Sequence, residues 1–96
     1  MEMLLFIQPR NRATLLEHYA HLKTFTPQEL VDAYNHSFKV GIVGSMAQGL
    51  YLITLRKVFL DTFGQSPIEW IEGCLLRLTT PIILKDNQWQ PTSISN

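Results

Sequence analysis

The sequence predicts an α+β fold of three helices, the third central, with a C-terminal β-hairpin and room for a short N-terminal strand. Three observations carry this. Thr26-Pro27-Gln28-Glu29 is a complete helix-start signal, with a capping hydroxyl, a proline at the first helical position and a glutamate to close the box. The segment from Ser45 to Phe63 is apolar around most of a helical circumference. Beyond Gly73, apolar and β-branched runs are broken by Pro81 and by the turn pair Asp86-Asn87.

The elements follow in order. Met3 to Ile7 is an apolar run ended by Gln8-Pro9, and five residues fit either a strand or the lead-in to a helix. From Arg10 to about Lys23, Leu15, Leu16, Tyr19 and Leu22 recur at helical spacing, giving a first amphipathic helix. The second helix should run from the Thr26 cap to about Phe38, burying Leu30, Val31, Tyr34 and Phe38. Lys39 to Gly44 is a connection, Ser45 caps the third helix, and Gly64 suits a left-handed residue after its end. That helix leaves only a narrow polar stripe at Thr54, Lys57 and Asp61, so Leu50, Leu55, Val58 and Phe59 are expected in the core. Ser66-Pro67-Ile68-Glu69 repeats the cap-Pro-x-Glu pattern and predicts a short helical turn through Ile71. The final hairpin should turn at 85–88, with Pro81 at a strand start or edge and a frayed tail from 91 to 96.

Residues 1–96 read as one small globular domain, long enough to bury roughly 60–70% of its unfolded surface. Hydrophobic residues make up 46% and charged residues 17% of the chain. That charged share lies below the ~25% of ordinary soluble domains, so some apolar surface is spare for a partner or a deep core. Eight basic residues balance eight acidic ones, which argues against nucleic acid as a partner and removes the repulsion that keeps small proteins apart. One cysteine, Cys74, builds no internal disulfide, and the N-terminus has no basic region before its short apolar run. The cytoplasm is the expected compartment.

Candidate chemistry is thin. His18 and His21 share a helix face but lack the third ligand that a zinc site needs, and read as surface histidines. Cys74 precedes an apolar run, so it reads as a small hydrophobe rather than a nucleophile. Gly41, Gly44 and Gly49 suggest a phosphate loop, yet no lysine follows and a helix, not a strand, precedes. A helix-turn-helix reading would rely on Gln48, Arg56 and Lys57, which are scattered among leucines. Val40 to Leu55 is uncharged, and Gly41, Ser45 and Gly49 stand four apart as in packed membrane helices. Its sixteen residues reach only about 24 Å, short of a ~30 Å bilayer core, so a buried helix packed closely at Gly49 is expected and no membrane partner.

No cofactor, metal or catalytic set emerges. The leading expectation is a non-catalytic interaction or accessory subunit that binds another protein or itself, a homodimer first. Its interface should involve the hairpin around Ile82, Leu84 and Trp89, with Trp70, the exposed side of the first helix, or both. The alternative is a small ligand-binding or enzymatic domain built on the Gly41–Ser45 turn or the His18/His21 pair. An exposed apolar patch or an open strand edge would favour the first.

Overall fold

A computed structural model of the chain describes residues 1–92. In order they form β1 (Glu2–Leu4), a single 3-10 turn (Pro9–Asn11), α1 (Arg12–Leu22), α2 (Pro27–Val40), α3 (Met46–Phe63), β2 (Ile68–Ile71), β3 (Leu75–Leu78), β4 (Ile82–Lys85) and β5 (Gln88–Pro91). The fold is α+β. β1, β3 and β2 make a three-stranded antiparallel sheet in that order, and β4 and β5 make the C-terminal hairpin.

Local chemistry sets the helix ends. Thr26 Oγ1 accepts from the Glu29 amide at 3.1 Å while Glu29 Oε1 accepts from the Thr26 amide at 2.8 Å, so the expected capping box is present. Ser45 Oγ accepts from the Gln48 amide at 3.1 Å and opens α3. Gly64, at φ 80°, closes it in the left-handed conformation that glycine adopts without a Cβ clash. The hairpin turns through Asp86 and Asn87, both at positive φ, which matches the twist of the strands it joins.

The core lies between the helices and the two sheets. Leu22 comes from α1, Leu30, Val31 and Tyr34 from α2, and Leu52, Leu55, Val58 and Phe59 from α3. Met3, Ile68, Leu76, Leu78 and Ile82 close it from the strands. α3 is buried on several faces, as its apolar circumference requires. Its Gly49 lets β1 come close: a Cβ there would stand 2.7 Å from Leu5 Cδ1. Thr54, expected in the polar stripe, is instead buried, and its hydroxyl is satisfied by donating to the Leu50 carbonyl one turn back at 2.8 Å.

Three further expectations are corrected. Lys39 and Val40, expected in the connection, form the end of α2. Ser66-Pro67-Ile68-Glu69 opens no helical turn, because Ile68–Ile71 is the strand β2. Ser66 Oγ accepts from the Ile68 amide two residues on, at 3.0 Å, rather than from Glu69. The turn at Glu72 and Gly73 leaves too few residues to pay back helix nucleation, whereas pairing with β3 satisfies the same backbone at once. The C-terminal tail is not frayed from 91, since Pro91 belongs to β5 and the Thr92 amide donates to the Pro81 carbonyl at 3.0 Å. Residues 93–96 of that expectation lie outside the described residues. The open choice at the N-terminus resolves to a strand, with Met3 opposite Leu76.

Candidate interaction surface

The candidate chemical groups are committed to the chain's own structure. His18 stands edge-on to Tyr51, with ring centroids 5.5 Å apart, and His21 edge-on to Phe25 at 5.0 Å, so the two imidazoles turn to different neighbours. Among the described residues no three His, Cys, Asp or Glu side chains converge on one point. In the Gly41–Ser45 turn, Gln48 Oε1 accepts from the amides of Val43 and Gly44, and its Nε2 donates to the Gly41 carbonyl at 2.8 Å. Those amides are the ones a phosphate would have to claim. Of the other residues of a helix-turn-helix reading, Lys57 pairs with Asp61 at 2.8 Å, and Arg56 Nε is buried without a partner among the described residues. Cys74 is half-buried in the turn before β3, with its amide donating to Ile71 and its carbonyl accepting from Leu5. Among the described residues no helix is long and apolar enough to cross a membrane.

The expected interface residues point largely inward. The pleat alternates along β4, burying Ile82 to 1% exposure and turning Ile83 outward. Leu84, Trp70 and Trp89 are half-buried and packed on the core. The Trp89 ring meets Phe59 edge-on at 6.5 Å, and its Nε1 donates to the Gln65 carbonyl at 2.9 Å. The outward apolar residue of the hairpin is therefore Ile83.

One exposed apolar surface lies at β1 and along α1, and Val40, Val43 and Met46 expose another around the α2–α3 connection. Leu4 is 64% exposed and Phe6 62%, with Ile7 at 40% and Leu16 at 52%. Ile7 and Leu16 line one shallow groove with Pro9 and Arg12. A second groove, with Tyr19, Ile53 and Lys57, shares Leu15 and Leu16 with the first, so the apolar surface continues across α1 onto α3. Its far border is polar. Asp61 accepts from Lys57 Nζ at 2.8 Å and from the Tyr19 hydroxyl at 2.9 Å. These two bonds, that of Lys57 foremost, hold the Asp61 carboxyl below its usual range.

Hydrogen bonding separates β1 from the other strand edges. Leu78 donates to the Met1 carbonyl at 2.9 Å and Leu5 to the Cys74 carbonyl at 2.8 Å, so odd-numbered backbone groups of β1 face β3. Those of Glu2, Leu4 and Phe6 face away, and among the described residues they have no partner. At each of the other edges one outward position is taken or blunted. At β4, Asn35 of α2 clamps Ile82, donating to its carbonyl at 2.8 Å and accepting from its amide at 2.9 Å. At β5, the outward position 91 is a proline with no N–H to offer. At β2, the outward amide of Ile68 is taken by Ser66. Sequence reasoning missed this site, although a strict alternation over Met3–Ile7, read as a strand, would have set Leu4 and Phe6 on one face.

No protein family, no curated protein and no solved structure matches the chain.

Proposed function

We propose that this chain is a non-catalytic interaction or accessory subunit that binds protein through the open edge of β1 and the apolar strip beside it. The supporting observation is the unpaired strand backbone of β1 together with the exposed side chains of Leu4 and Phe6 along it, followed directly in the chain by the groove of Ile7 and Leu16. An unprotected edge flanked by large apolar groups is a liability to a solitary protein and an asset to one that adds a strand from a partner. Backbone hydrogen bonds would supply affinity there, and the grooves beside Leu16 would supply selectivity. A lone half-buried thiol fits a reducing compartment, the cytoplasm first. The ligand-binding alternative has less support, because Gln48 already occupies the amides of the Gly41–Ser45 turn.

The test is capture of the tagged chain from its native cells, compared with Phe6→Glu/Leu16→Glu. Both positions are exposed, so the variant should keep its fold by far-UV circular dichroism. A protein, including a second copy of the chain, retained by the parent and lost from the variant is the expected result. An identical set of captured proteins from both would overturn the reading.

A further inference from the structure

We infer that the occupant of the β1 edge is β1 of a second copy, paired antiparallel about a two-fold axis at Leu4. This rests on the proposal that the edge is an interaction surface. The register follows from the residues themselves. Along this segment Glu2, Leu4 and Phe6 alternate outward, and the next candidate, Gln8, has its amide engaged by Asn11 Oδ1 at 2.8 Å. A two-fold at Leu4 satisfies all three, setting Leu4 opposite Leu4 and Glu2 opposite Phe6 of the second copy. Shifting the axis towards Glu2 sets like charges face to face or leaves Phe6 unpaired. Shifting it towards Phe6 places Glu2 against the occupied amide of Gln8.

The side chains agree with this register. On the outer face of the sheet, Leu4 lies beside Leu75 and Leu75 beside Ile71. Pairing at Leu4 runs this apolar row straight through the axis into the same row of the second copy, and the two three-stranded sheets become one of six strands. Charge is already balanced within each copy. Arg77 bonds Glu2 at 2.6 Å and Glu69 at 3.3 Å in the adjacent row, so no bare carboxylate is carried into the contact. The area is of the right order. Exposed as they are, Leu4, Phe6, Ile7 and Leu16 offer on the order of 450 Å² per chain by the usual size of such side chains. Full coverage of them on both copies, together with the strand backbone, sets an upper limit at roughly the 1,000 Å² of a specific interface.

The experiment is sedimentation of the purified chain across the micromolar range, joined to cross-linking. The parent should move from the 11.1 kDa monomer to twice that mass as concentration rises. Leu4→Pro removes an outward N–H without touching the bonds to β3, and Leu4→Lys puts like charges at the axis. Each should weaken dimerisation about tenfold or more while circular dichroism stays unchanged. In a Cys74→Ala background, Leu4→Cys should oxidise to a covalent dimer, because directly opposed residues have Cα atoms about 5.5 Å apart, within disulfide range. Glu2→Cys alone should not, but mixed with Phe6→Cys it should. A monomer at every concentration overturns the self-pairing and leaves the interaction reading to the capture experiment. A dimer indifferent to Leu4→Pro and Leu4→Lys, with no Leu4→Cys cross-link, places the interface elsewhere and also overturns it.

Discussion

Tyr34 shows how one side chain is made to serve both core and strand. Its ring is wholly buried between Phe38 and Phe59, and its hydroxyl reaches the Thr80 carbonyl at 2.8 Å, just before β4 begins. Tyr34→Phe leaves that half-buried carbonyl without its donor, and should cost about 1 kcal/mol in urea unfolding. Burial also pushes the phenol above its ordinary value near 10, so the folded state holds the proton more tightly than the unfolded chain. That part of the stability is complete below pH 10 and is lost as pH rises through the folded value. Stability measured at pH 8 and again above pH 10 should therefore fall more for the parent than for Tyr34→Phe, with Tyr51, also raised by burial, common to both. Asn35 is the second such residue, a side-chain amide that stands in for a neighbouring strand at Ile82. Asn35→Ala should cost about 2 kcal/mol, through two lost hydrogen bonds and a bared edge. Hydrogen exchange at the Ile82 amide should accelerate more than at the amides bonded within the hairpin. Neither role was legible in the sequence, because both bonds span more than forty residues.

At the scale of elements, what was legible is what local chemistry decides. Thr26 and Ser66 open the same four-residue pattern, yet one caps a helix and the other precedes a strand. The difference lies downstream. Leu30, Val31 and Tyr34 continue a helical period for three turns, whereas Glu72-Gly73 cuts the other segment short. Thr26→Ala should accordingly destabilise by about 1 kcal/mol in thermal or urea melts. The hairpin was readable because Asp86-Asn87 is itself the turn. The outer strand β1 was not, since its identity depends on residues such as Arg77, paired across the sheet with Glu2. The open edge was illegible for the same reason: only the register decides which alternate residues of Met3–Ile7 face water. α3 was readable as the centre from its apolar girth alone. Truncating Leu55 or Phe59 to Ala should cost roughly 2–5 kcal/mol, and losses below half a kcal/mol at both would displace α3 from that role.

Across the whole molecule, α3 separates a sealed end from an open one. Near its C-terminus, Phe59 and the Phe63 carbonyl meet Trp89 and Gln88 of a hairpin whose edges are clamped by Asn35 and blunted by Pro91. Near its N-terminus, Gly49 admits Met3 of β1 and Leu5 just after it, and among the described residues the outer edge of β1 carries no such protection. The chain blunts one position on each of three edges. At the fourth it leaves the outward groups of β1 without a partner among the described residues, beside Leu4 and Phe6 at 64% and 62% exposure. Zero net charge opposes nothing that would close on it. If folding and association are linked there, stability must depend on protein concentration. Well above the dissociation constant, each tenfold rise in concentration adds about 0.7 kcal/mol per chain, half of the 1.4 kcal/mol that a factor of ten represents for a pair. For a domain of this size that raises the melting temperature by roughly 3–5 °C. Calorimetric scans of the parent at two concentrations tenfold apart should show the shift, while Phe6→Glu at the same concentrations should melt at one temperature. A parent whose melting temperature ignores concentration would mean that folding completes without the second copy, and that any partner at β1 binds a chain already stable alone.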